Sequence, residues 1–93
     1  MYITLNGFAR YLGIEECKIG QKYTLKKDIN NIYDSEAIAV YSDNDVKVAY
    51  VANSVNTVAK GTHSAGYVYN LIKNDSKCKI LFIVGETAIA ELI

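Results

Sequence analysis

The sequence predicts an all-β protein, mainly strands with one or two short helices, closed into a small barrel or sandwich. Three observations carry the prediction. Short apolar runs with period-two alternation recur at near-even spacing along the chain. Gly, Asn, Asp and Ser punctuate them, while proline is absent. Only one stretch combines a capping residue with helical spacing. At 93 residues and 51 % apolar composition, the chain is sized for a single domain over residues 1–93 with one modest core.

Taken in order, Tyr2 to Phe8 alternates, with Ile3 and Leu5 on one face and Thr4 and Asn6 on the other, and Gly7 marks a bulge or bend. Arg10 to Gly20 reads as a loop with one helical turn, because glycines at both ends leave too few residues for a helix. Gln21 to Asp28 is the second strand: Tyr23 and Leu25 point inward, and Lys22, Thr24 and Lys26 outward. A polar corner, Asn31-Ile32-Tyr33-Asp34, leads to a third strand at Ala37 to Tyr41. Ser42-Asp43-Asn44-Asp45 is a hairpin turn, after which Val46, Val48 and Tyr50 alternate along a fourth strand. Asn53 or Ser54 can cap a helix bearing Val55, Val58 and Ala59, which Gly61 would stop. Ala65 to Ile72 reads as a fifth strand and Cys78 to Val84 as a sixth, joined by the turn Asn74-Asp75-Ser76-Lys77. The unbroken apolar Ile80-Leu81-Phe82-Ile83-Val84 predicts full burial, and Gly85-Glu86 turns the chain into a last strand ending at Ile93.

Composition excludes several classes. The net charge of zero supplies no overall field for a polyanion, so any nucleic-acid contact must be local. No apolar run is long enough to span a bilayer, and Met1-Tyr2-Ile3-Thr4 lacks the basic-then-apolar order of a secretory leader; the expectation is a cytoplasmic protein without membrane contact. Cys17 and Cys78 form no C-x-x-C pair and read as reduced, small apolar side chains; no metal or cofactor is expected. His63 and Ser64 are neighbours on a predicted extended segment and point apart, with no orienting third group, so they make no hydrolytic pair. No spaced acid pair falls in a cleft, and the reading is non-catalytic.

The stretch Asp28-Ile29-Asn30-Asn31-Ile32-Tyr33-Asp34-Ser35-Glu36-Ala37-Ile38-Ala39-Val40 resembles the signature of the HIRAN domain family. It matches through Asn31, Tyr33, Asp34, Ala37, Ile38 and Val40, with Asp28 as the acidic residue and Ile29 and Ile32 where the family carries prolines. Gly7-Phe8-Ala9-Arg10-Tyr11, Gly20 and Val48-Ala49-Tyr50-Val51 resemble its flanking elements, and Gly61 to Asn70 the C-terminal part of short bacterial members. The resemblance implies a small OB-like or SH3-like β-barrel that holds single-stranded DNA at a free 3′ end. It assigns rings at Tyr11, Tyr33 and Tyr50 to the pocket, with Asp34 accepting from the terminal sugar hydroxyl. Arg10 and Asn31 complete the implied site. Stacking on a base contributes about 1–3 kcal/mol, and an ionised carboxylate both accepts a hydroxyl and repels a phosphate. Alanine at Ala9 and asparagine at Asn53 stand where the family often carries cations, so binding should be weak, with two or three phosphate contacts and a salt slope of about 1.4–2.1.

The same residues have plainer roles. Asn31 and Asp34 suit the backbone amides of their own turn. Tyr33 can lie over the barrel mouth as a lid, and Tyr50, sharing parity with Val46 and Val48, reads as a core tyrosine. Lys22, Lys26 and Lys27 read as a solvated outer face that protects a strand. The first functional reading is therefore a nucleic-acid-binding module. Its alternative is a protein-interaction or self-associating module with a degenerate groove, in which the Ile80–Val84 segment pairs edges across a two-fold axis to give a homodimer.

Overall fold

The computed structural model describes residues 1–93. Six strands, β1 (Tyr2–Asn6), β2 (Lys22–Lys27), β3 (Ile38–Tyr41), β4 (Lys47–Val51), β5 (Ser76–Val84) and β6 (Thr87–Leu92), close an antiparallel barrel in the order β1-β4-β3-β2-β5-β6. Closure removes most of the edge hazard that an open sheet of this size would carry. Inside lies one cluster that includes Ile3, Leu5, Tyr23, Leu25, Ile38, Val40, Val48, Ala49, Val51, Cys78, Ile80, Ala88 and Ala90 of the strands, joined by Phe8, Val68 and Ile72 from outside them. The small alanines of β6 lie between larger residues, Ala90 between Ile80 on β5 and Ile3 on β1 and Ala88 between Ile83 and Leu5, which lets the narrow interior fill.

The alternation on β1 and β2 holds for Ile3, Leu5, Tyr23 and Leu25. Thr4, expected outside, is buried because residues 59–63 lie across the outer face of β1. Thr4 Oγ1 lies 2.8 Å from Thr62 Oγ1 and accepts from the Ala59 amide at 3.0 Å. The loop before β2 contains two 3-10 turns, Phe8–Arg10 and Ile14–Glu16. The Ser42–Asp45 turn folds as expected, with the Asp45 amide donating to Ser42 O and the Ser42 amide to Val46 O, each at 2.9 Å.

Three expectations are corrected. Ala65 to Ile72 is not a strand: α1 (Ala65–Val68) starts there, and the chain turns on through Ile72. Ser64 caps it by accepting from the Tyr67 amide at 3.2 Å. Ala65, Val68 and Ile72, at helical spacing, are the residues buried, so burial period overrides the β-propensity of Tyr67, Val68 and Tyr69. The helix expected after Ser54 is a single turn, with the Val58 amide donating to Ser54 O at 2.9 Å. Val55 there is exposed and contributes nothing to the core, and the chain leaves helical geometry to cover Thr4. Finally, Ile80 to Val84 is not buried throughout: Ile80 is, but Phe82 and Val84 are 60 % and 63 % exposed, because β5 runs past the end of β2.

Cys17 and Cys78 are buried and unbridged. Burial pushes the Cys78 thiol up to about 12 and raises that of Cys17 as well, so both stay protonated and behave as small apolar side chains. No helix is long and apolar enough to cross a membrane.

Candidate nucleic-acid interface

The corner between β2 and β3 is stitched by its own side chains. Asn31 Oδ1 accepts from the amides of Tyr33 at 2.9 Å and Asp34 at 3.0 Å, and Asp34 Oδ1 accepts from the amide of Glu36 at 2.9 Å. These short-range bonds are the reason Asx residues suit such a turn. The Asp28 amide donates to Ala37 O at 2.9 Å and closes the neck of the corner. With the backbone fixed, Tyr33 is left 92 % exposed, so its ring is presented to solvent instead of folded over the barrel mouth.

A second hub fixes the acid. Asn53 Nδ2 donates to both Asp34 oxygens, at 3.3 and 3.1 Å, and to Glu36 Oε1 at 3.3 Å, while Asn53 Oδ1 accepts from the Gly66 amide at 2.8 Å. One side chain thus ties the corner to the first turn of α1. Asp34 Oδ2 has only this one partner, and a carboxylate oxygen can accept about two bonds, so it retains capacity for a hydroxyl donor.

Arg10 and Tyr11 arrive from the other side. Gly7, at φ 82°, lets β1 break into the first 3-10 turn, a left-handed conformation that glycine adopts without a Cβ penalty. Phe8 is buried and anchors the turn, its carbonyl accepting from the amides of Tyr11 at 2.9 Å and Gly13 at 3.0 Å. Arg10 and Tyr11 therefore stay exposed beside the corner.

Tyr50 forms the wall between them. Its neighbours Ala49 and Val51 face the core, paired with Val40 and Leu5, which places Tyr50 on the outer side of β4 and half-buried, outside the core cluster. Tyr50 Oη donates to Asp28 Oδ2 at 2.5 Å and accepts from Lys47 Nζ at 2.9 Å. The Tyr50 bond holds the Asp28 carboxyl below the ordinary aspartate range; burial opposes this, while Asn31 and Lys47 assist. A folded-state value below that of the unfolded chain adds stability above the unfolded pKa of about 3.9, and that stability is lost as pH falls through the lowered folded value. Tyr50→Phe removes the donor. A stability–pH profile is expected to place the variant below the parent at neutral pH and to show the two converging in acid. Parallel curves would mean that the Tyr50–Asp28 bond does not carry the effect.

These elements surround one open hollow of about 820 Å³. Arg10, Tyr11, Asn31, Tyr33, Asp34 and Tyr50 all line it, together with Asn6, Asn53, Ser54 and Thr57. Arg10 is the one cation in its lining. The lysines of β2 turn elsewhere: Lys26 pairs with Asp45 at 3.1 Å, and Lys27 Nζ sits 4.7 Å from the centre of the Tyr69 ring. Sequence reasoning did not find the supporting roles of Asp28, Lys47 and Glu36, whose partners lie up to 22 residues away. His63 stacks on Tyr67 with centroids 4.2 Å apart, and Ser64 caps α1, so the two serve separate local roles.

A closed six-stranded antiparallel barrel of the OB-like kind, with a polar, ring-bearing hollow on its outer side, is the class that fold and site define. The sequence model of the HIRAN domain family matches residues 1–84, and the chain belongs to that family. Among solved structures it is similar to the HIRAN domain of human HLTF, with a TM-score of 0.69 and 20 % identity over 97 % of this chain and 69 % of that one. No curated protein sequence matches.

Proposed function

We propose that this domain is a non-catalytic module that binds the free 3′ end of a single-stranded nucleic acid in the hollow beside the Asn31–Asp34 corner. One observation carries the reading: an exposed tyrosine and a carboxylate oxygen with spare accepting capacity stand side by side at the rim of an open hollow with ample room for a nucleoside. Membership of the HIRAN family supports it. Tyr33 and Tyr11 offer ring faces to bases, Tyr50 is a wall held upright by Asp28 and Lys47, and Asp34 accepts the terminal hydroxyl. With Arg10 as the one cation present, neutralisation is slight, and the salt slope on a single strand falls to about 0.7 for one phosphate contact.

The test is a titration of labelled single strands ending in a 3′ hydroxyl or a 3′ phosphate. The hydroxyl end should bind more tightly at low salt, and Asp34→Ala should erase the preference, since the acid both accepts the hydroxyl and repels the phosphate. Equal binding of both ends, or none, would instead favour a protein-interaction module that keeps the barrel and has lost the groove.

A further inference from the structure

β5 outruns the strand beside it. Ser76 to Lys79 pair with Leu25 to Lys22 of β2, and Gln21 finishes the ladder by accepting from the Ile80 amide at 2.9 Å, while the Gly20 amide donates to Ile80 O at 2.7 Å. Past Ile80 no strand borders β5 on that side. On its other side, Phe82, Ile83 and Val84 pair with Ile89, Ala88 and Thr87 through the two-residue turn Gly85-Glu86. The closing pair of such a hairpin, Val84 and Thr87, exchanges its ladder bonds, and antiparallel alternation then points the Ile83 amide and carbonyl away from β6, toward the open edge. The flanking side chains are apolar and exposed. Phe82 and Val84 share a face with Tyr2 and Ile89 and line a second hollow of about 510 Å³, which has no residue in common with the hollow beside Tyr33.

An open strand edge is completed by another strand, and its backbone selects for extended chain above any other partner. We propose that the edge from Leu81 to Gly85 pairs antiparallel with the same edge of a second copy across a two-fold axis, joining two barrels through one continuous sheet. The sequence at the edge is self-complementary. With Ile83 opposite Ile83, the two residues exchange both backbone bonds, and Phe82 of each copy faces Val84 of the other, an aromatic against a β-branched side chain, twice over. The lengths also match. Leu81, one residue past Ile80, where Gln21 already holds the edge, faces the second copy's Gly85, where that chain turns away. The interface is short, so association is concentration-dependent.

Sedimentation equilibrium over a concentration series tests this. The parent protein is expected to rise toward twice the monomer mass. Phe82→Lys, at an exposed position, should hold it at the monomer mass with the thermal midpoint retained. Ile83→Pro, which deletes the outward donor at an edge where proline is tolerated, should do the same. A monomer at every concentration overturns the two-fold pairing and assigns the edge to a strand of different sequence. A dimer that survives Phe82→Lys places the contact elsewhere and overturns it equally. Neither substitution touches the hollow beside Tyr33, so the 3′-end titration reports separately.

Discussion

Tyr33→Ala is expected to weaken binding of a single strand by roughly fivefold to a hundredfold, the equivalent of about 1–3 kcal/mol for one stacked base. Folding should be indifferent to it. The ring is 92 % exposed, and the turn beneath is held by the amides of Tyr33 and Asp34 and the side chain of Asn31, none of which the substitution removes. Surface changes of this kind stay within about 0.5 kcal/mol of the parent. Measured side by side, a titration and a thermal melt should separate: affinity falls and the midpoint stays. A midpoint that falls together with affinity would assign the ring to structure, and an unchanged affinity would remove it from the site.

Asn53→Ala should do the reverse, acting first on stability. The substitution leaves the Gly66 amide without its 2.8 Å acceptor and frees the carboxylates of Asp34 and Glu36 from the donor they share. Leaving a part-buried donor unpaired costs about 1–3 kcal/mol. For a domain of this size each kcal/mol lowers the midpoint by about 4–8 °C. Asn53→Asp refines the test: it restores an acceptor for Gly66 yet sets a third carboxylate against two others, so at neutral pH it should be no more stable than Asn53→Ala. If both variants melt with the parent, Asn53 is not the hub that ties the corner to α1.

The turn-building role of the corner and its proposed binding role are compatible. Asn31 and Asp34 spend some of their acceptors on local amides, as turn residues do, and that rigidity is what leaves Tyr33 outside and one Asp34 oxygen with capacity to spare. A stack that needs no rearrangement loses little entropy on binding.

Much of the barrel was legible because its strands obey simple parity. Ile3 and Leu5, then Tyr23 and Leu25, alternate against polar neighbours, and the Ser42–Asp45 turn carries its own hydrogen-bonding chemistry. The six candidate residues came from family resemblance, and the structure brings all six around one hollow. What failed was non-local. Tyr50 was read as a core residue because Val46, Val48 and Tyr50 alternate; Val48 is indeed buried, but the register shifts beside it, between Val40 and Tyr41, so that beyond it Ala49 and Val51 face inward and Tyr50 outward. The exposure of Phe82 and Val84 depends on where β2 ends, which no window around residues 80–84 reveals. In Ala65 to Ile72, two periods compete over eight residues, and docking of Val68 and Ile72 against the core settles them in favour of the helix. Thr4 is buried by a loop more than fifty residues away in the chain.

The proposed function places a nucleic-acid end in the hollow beside the Asn31–Asp34 corner. Amide and side-chain NMR shifts recorded during titration with a short single-stranded oligonucleotide bearing a 3′ hydroxyl locate it directly. The prediction is a contiguous set of perturbed resonances at Arg10, Tyr11, Asn31, Tyr33, Asp34, Tyr50 and Asn53, with Phe82 and Val84 unmoved. Perturbations centred on the β5–β6 hairpin or on the lysines of β2, with the corner silent at saturation, would contradict it.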